Sequence, residues 1–167
     1  MKVTLLGTGC PIPTAARAGT ALVVTVGDTR LLVDCGPRTV YELMENDVNP
    51  GAISDVFFTH HHVDHNAAFH HFAIVSWTAG RSEMTVYGPD GTDRLVDALY
   101  DVYEDDLEYR AKAGYPKEGI ENIEWVPVDD GFRTEVDGVT VTARPVEHSI
   151  ETYAYRFETG EETLVFS

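Results

Sequence analysis

The chain has 167 residues, and Asp plus Glu outnumber Lys plus Arg by 28 to 12, a formal charge of −16. Hydrophobic residues make up 43%, enough for a core and unlike a disordered acidic tail, while the acidic surface disfavours sequence-independent capture of nucleic acid. No apolar run approaches the roughly 20 residues of a membrane span, Gly7 arrives too early for a signal peptide, and Cys10 and Cys35 make no disulfide framework, so a cytoplasmic setting without membrane contact is expected.

Lys2 to Leu6 reads as a strand entering a glycine loop that runs from Gly7 to Thr14. Two apolar runs, Ala21 to Val26 and Leu31 to Val33, are split by Gly27-Asp28, a hairpin signal. Asp34-Cys35-Gly36-Pro37 ends that strand and starts a short helix with Val40, Leu43 and Met44 on one face. Asn49-Pro50-Gly51 is a turn, and Ile53 to Phe58 a buried strand. Ala67 to Trp77 reads as a helix and Met84 to Tyr87 as a strand. Thr92 is placed to cap a helix carrying Leu95, Leu99, Val102 and Tyr103, with Glu104 to Glu108 as its solvated end and Gly114 to Gly119 as a loop. Strands follow at Ile123 to Val128, Val139 to Val146 (after a hairpin turn at Asp137-Gly138), Tyr153 to Phe157 and Leu164 to Phe166. Helices and strands mix throughout, so the fold class is α/β or α+β, in a single domain over residues 1–167. The last strand reads as cut off at its carboxyl end, where α/β proteins place ligand loops. Only Lys2, Lys112 and Lys117 are lysines; carboxylates with so little lysine fit a halophilic protein, or simply an acidic mesophilic one.

The strongest chemical signal is Thr59-His60-His61-His62-Val63-Asp64-His65, with four of the seven histidines packed behind a buried strand. In extended chain His60 and His62 point the same way, and Asp64 and His65 turn toward a second position. Imidazoles and a carboxylate suit zinc or a similar divalent ion. His61 alternates away and serves to orient the loop, and His70 and His71 fall on the following helix. Asp34, at a strand end, is placed either to hydrogen-bond a ligand histidine and fix its tautomer or simply to cap the strand.

The series His60, His62, Asp64, His65 resembles the H-x-H-x-D-H signature of the metallo-β-lactamase superfamily. Leu6-Gly7-Thr8-Gly9, Pro13-Thr14-x-x-Arg17 and Leu32-Val33-Asp34-Cys35-Gly36 are similar to its ribonuclease Z and arylsulfatase-like branch. That resemblance implies an αββα sandwich holding two Zn2+ ions per complete domain, with Mn2+ or another divalent ion as alternatives. It implies His60, His62 and His148 around the first metal and Asp64 with His65 on the second. It also implies Asp64 as the catalytic proton carrier, Thr14 and Arg17 near the substrate, and a homodimer. The implied reaction is hydrolysis of a phosphodiester by a metal-activated water, as in transfer-RNA 3′-processing by an endonuclease of the ribonuclease Z type. The substrate is then an RNA, a small phosphodiester or another ester.

Three departures bear on that expectation. A Gly-Asp-Thr after the last strand and a later histidine, both expected of the resembling family, are not within the 167 residues, so the domain is expected to be incomplete at its C-terminal side. The loop around Arg17 lacks the lysine and asparagine of transfer-RNA-processing members, and no basic glycine-rich arm is visible. An arylsulfatase-like hydrolase of small esters is therefore one alternative. A non-catalytic module with a single metal is the other, if the chain ends at Ser167.

Overall fold

The computed structural model describes residues 1–12 and 14–167; Pro13, which the sequence pattern places beside Thr14 and Arg17, lies outside the described residues. A six-stranded sheet takes β1 (Lys2–Gly7), β2 (Ala21–Val26), β3 (Thr29–Val33), β4 (Asp55–Phe57), β5 (Met84–Gly88) and β6 (Ile123–Pro127) in simple chain order. The first three strands are antiparallel and the rest join in parallel through helical crossovers. A second, antiparallel sheet has the order β10-β9-β8-β7, from β7 (Arg133–Val136), β8 (Val139–Pro145), β9 (Tyr153–Glu158) and β10 (Thr163–Phe166). Along the chain the helices are α1 (Thr39–Glu45), α2 (Val63–Asn66), α3 (Phe69–Thr78), α4 (Thr92–Lys112) and α5 (Glu118–Glu121).

Strand alternation explains the layering. Leu22, Val24, Leu31, Val33, Phe57 and Tyr87 face the second sheet, where they meet Val139, Val141, Tyr155 and Phe157. Their neighbours Val23, Leu32, Val56 and Val86 face the other way, onto Phe69, Phe72 and Trp77 of α3 and Leu99 of α4. The central strands are thus apolar on both faces, as parallel strands between two layers must be. Three layers of the expected sandwich are present: helices, sheet, sheet. On the far side of the second sheet, among the described residues, Arg133, Arg144 and Arg156 are exposed and no helix covers them.

Several boundaries differ from the sequence reading. The run Glu104 to Glu108 does not end α4; the helix continues to Lys112 past non-helical dihedrals at Tyr103. Leu107 is buried, and Asp106–Arg110 and Glu108–Lys112 pair at 2.9 and 2.6 Å across one turn, which supports an acidic stretch as helix. Thr92 does not cap α4. Gly91, at φ +96°, takes the cap position, and the Thr92 hydroxyl donates instead to the Pro89 carbonyl at 2.8 Å. A single turn, α5, interrupts the loop expected from Gly114 to Gly119. Asp137 and Gly138 both have positive φ, +47° and +80°, as a primed hairpin turn demands.

Asp55, at the amino end of β4, lies far along the strand from the histidine loop. Burial first, then Asp137 and Glu83, push its carboxyl up to about 6, against the pull of the Tyr87 hydroxyl that donates to it at 3.3 Å. A folded-state value above the unfolded one favours folding at low pH, and that contribution is lost as pH rises from about 4 to 6. Asp55→Asn keeps an acceptor for Tyr87 and removes the charge. It is expected to stabilise the protein at pH 7 by about 1 kcal/mol, after allowing for solvent screening of a partly exposed group. Denaturant melts at pH 7 and pH 4 check this, since the advantage should vanish at the lower pH.

Candidate metal centre

The site gathers at the carboxyl ends of β3 and β4, the edge where parallel strands of α/β sheets present their loops. After Phe57 the chain leaves β4 and runs Phe58-Thr59-His60-His61-His62 into the short helix α2, which carries Asp64 and His65. The Phe58 N–H still bonds the Tyr87 carbonyl at 2.8 Å, and the buried Tyr155 hydroxyl donates to the Phe58 carbonyl at 2.9 Å. Both sheets therefore grip the root of the histidine loop. Close approach fixes its far end: the Asp64 carbonyl accepts from the Thr20 N–H at 2.9 Å and would stand 2.0 Å from any Cβ at position 36, so only glycine fits there.

His60 and His62, two residues apart, do point the same way, with His60 Nε2 3.0 Å from His62 Nδ1. His148 arrives from the loop between β8 and β9, its Nε2 3.3 Å from the same His62 nitrogen. Ring nitrogens of His60, His62 and His148 all lie within 4.8 Å of one another, a spacing that a divalent ion can span. Burial, and after it the neighbouring imidazoles of His65, His62 and His148, lower the His60 pKa to about 3, leaving the ring in its neutral, metal-binding form.

Asp64 and His65 form the other half. His65 Nε2 lies 3.7 Å from Asp64 Oδ2. Asp64 is 5% exposed, and its Oδ1 is buried with no hydrogen-bond partner. A bare buried carboxylate oxygen is costly in an apoprotein and is satisfied by a cation.

Behind both halves stands Asp34, fully buried and left-handed at φ +57°. Its Oδ2 lies 2.7 Å from His65 Nδ1, and its Oδ1 accepts the Thr59 N–H at 2.8 Å. The Thr59 hydroxyl donates to Asp34 Oδ2 at 2.9 Å and meets His60 Nδ1 at 2.9 Å. If each ring keeps its proton on Nδ1, His65 and His60 both turn Nε2 toward the cluster. Burial raises the Asp34 pKa, and the contacts with His65 and Thr59 pull it back. Of the two roles open to Asp34 from sequence, its geometry matches the hydrogen bond to a site histidine. The threonine just before the first histidine was not singled out from sequence, and only its adjacency to His60 pointed to it.

The other sequence candidates stand apart. His61 turns away, its Nε2 2.9 Å from the Thr92 hydroxyl and its Nδ1 3.2 Å from the Asn66 amide, so it ties the loop to the start of α4. His70 bonds the Leu95 carbonyl at 2.8 Å, and His71 packs near Tyr41. Thr14 and Arg17 are exposed on the loop between β1 and β2, joined by an isolated bridge, and neither lines the cavity at the histidines. That cavity, about 350 Å3, is lined by Thr59, His60, His65, Glu147, His148 and Thr152 among others. Cys35 is buried, with its thiol pushed up by that burial, and Cys10 is exposed; both are free.

Comparison with known proteins agrees with the fold. Residues 1–167 match the family model described as "Anti-Pycsar protein Apyc1". The chain is 34% identical over 152 residues to a ribonuclease Z of Mycobacterium marinum (strain ATCC BAA-535 / M), covering 89% of this chain and 54% of that protein. Among solved structures it is similar to human tRNase Z, short form (TM-score 0.79, 21% identity, 99% of this chain and 68% of that one). It is also similar to the metallo-beta-lactamase fold protein YhfI from Bacillus subtilis (TM-score 0.73, 23% identity, 98% and 61%). The chain spans 54% to 62% of the length of the ribonuclease Z relatives it matches.

Proposed function

The chain belongs to the ribonuclease Z branch of the metallo-β-lactamase superfamily, in the family described as anti-Pycsar protein Apyc1, and from that premise we propose that it is a metal-dependent phosphodiester hydrolase. The observation that carries the proposal is the convergence of His60, His62 and His148 beside a buried Asp64 oxygen without a partner. In this reading residues 1–167 act as one domain, and His60, His62 and His148 hold one divalent ion, zinc or manganese. Asp64 and His65 serve a second. When bound, such ions supply a Lewis acid and make water nucleophilic near neutral pH.

The chain's own residues do the rest. Thr59 and Asp34 hold the His60 and His65 rings so that Nε2 faces inward, which removes the need to reorganise at the moment of reaction. Asp64 takes the proton of the attacking water and returns it to the leaving oxygen. Arg17 and Thr14, exposed on the neighbouring loop, meet the part of the phosphodiester that extends beyond the cavity. Two free thiols fit work in a reducing cytoplasm.

RNA is the substrate to test first, because the relatives are ribonucleases Z. A small phosphodiester is the second reading, favoured by the charge of −16 and by Glu147 in the cavity wall, since long polyanions are repelled by such a rim. The experiment is hydrolysis of a precursor transfer RNA, of bis(p-nitrophenyl) phosphate and of p-nitrophenyl sulfate, each with added Zn2+ or Mn2+ and with chelator. Turnover of either phosphodiester that chelator abolishes is the expected result. Turnover of the sulfate alone, or of none, overturns the proposal.

A further inference from the structure

His148 arrives on the least braced part of the site. Residues Glu147 to Glu151 are all exposed. The loop is closed at its base, where the Val146 N–H donates to the Thr152 carbonyl and the Tyr153 N–H to the Thr59 carbonyl, each at 3.0 Å. Nearer its tip the Thr152 hydroxyl donates to the Ile150 carbonyl at 2.9 Å, and Ser149 Oγ lies 3.4 Å from His62 Nε2. Holding an exposed loop with so few contacts costs conformational entropy, and a ligand on its tip loses affinity in proportion. Glu151 supplies a second anchor. Its Oε1 accepts the Tyr153 hydroxyl at 2.8 Å, and its Oε2 accepts the Asp90 N–H at 3.3 Å, in the turn between β5 and α4.

That turn is the other end of the brace already described. Pro89 accepts from the Thr92 hydroxyl, and Thr92 meets His61, the residue between His60 and His62. Glu151 therefore ties the loop carrying His148 on the second sheet to the same turn that holds the His60–His62 pair on the first. Resting on the reading of His148 as a ligand, we propose that Glu151 is a positioning residue that fixes the distance between His148 and the His60–His62 pair and so sets affinity at the three-histidine site. Tyr153, 5% exposed, orients the Glu151 carboxylate from below. Its own hydroxyl, pushed up to about 12 first by burial and then by that bond, stays a donor throughout the working pH range.

The test is titration of the metal-free protein with Co2+, read by visible absorption, beside thermal melting of each metal-free variant. Glu151→Ala should weaken Co2+ binding about tenfold, the cost of losing a partner behind a ligand, with an unchanged melt because the side chain is exposed. Glu151→Gln keeps an acceptor for the Asp90 N–H and turns its NH2 to the Tyr153 oxygen, which can rotate its proton away and accept, so it should stay close to the parent. Tyr153→Phe, which keeps the carboxylate but frees one of its oxygens, should fall between the two. Equal losses in the Ala and Gln variants would mean that the charge alone attracts the cation, and the clamp is overturned. Parent-like binding in the Ala variant overturns it too, as does a lowered melt. His148→Ala separates the premises: if that variant binds Co2+ like the parent, the assignment of His148 as a ligand has failed, whatever Glu151 does.

Discussion

His62→Ala is expected to abolish metal binding at the three-histidine site and to remove hydrolysis with it. His62 Nδ1 lies 3.0 Å from His60 Nε2 and 3.3 Å from His148 Nε2, close enough to share one ion with both. Its loss leaves two imidazoles, too few for a stable divalent site, and binding should weaken by more than the roughly 10–100-fold that losing an outer partner costs. His61→Ala is the matched control. It removes the bonds to Thr92 and Asn66 that brace the His60–His62 pair, so it should cost stability and at most about tenfold in Co2+ affinity, far less than His62→Ala. Isothermal titration of both variants decides the matter. Equal loss of affinity would mean that the alternation of roles along residues 60–62 is wrong.

That alternation was legible because it is local. A buried strand running into His-x-His fixes the directions of two side chains without any knowledge of the fold. The hairpin at Asp137-Gly138 was legible for the same reason, its two positive φ values being what that dipeptide supplies. His148 was a different case: it lies 86 positions from His62, and only the resemblance brought it to the site. Glu151 left no trace and Thr59 only its adjacency to His60, since a threonine and a glutamate in loops have many uses, and their partners lie 25 and 61 positions away. The continuation of α4 through Glu104 to Glu108 was hidden by composition. One buried leucine, Leu107, and ion pairs one turn apart hold a stretch whose acidic residues read as a solvated end. In each miss a long-range contact, or the sum of several weak local ones, decided the outcome.

Asp34→Asn is expected to have the second-largest effect, by another route. The carboxylate accepts from three groups: the Thr59 N–H, the Thr59 hydroxyl and His65 Nδ1. An asparagine tolerates the left-handed φ of +57° and nearly matches the shape, so backbone strain is not the issue. Its single carbonyl oxygen cannot serve donors on both sides, however the amide is turned. With the amide NH2 toward His65, the ring must shift its proton to Nε2, the nitrogen that faces Asp64 at 3.7 Å, and it ceases to be a ligand on that side. With the NH2 toward Thr59, a buried N–H loses its acceptor at a cost of about 1–3 kcal/mol. Binding at the Asp64–His65 side should fall about 10–100-fold while the three-histidine site keeps most of its affinity, because His60 still meets the Thr59 hydroxyl. Two-step Co2+ titration separates these sites. A variant whose second step is unchanged would show that Asp34 only caps β3, the simpler of the two roles its sequence position allows.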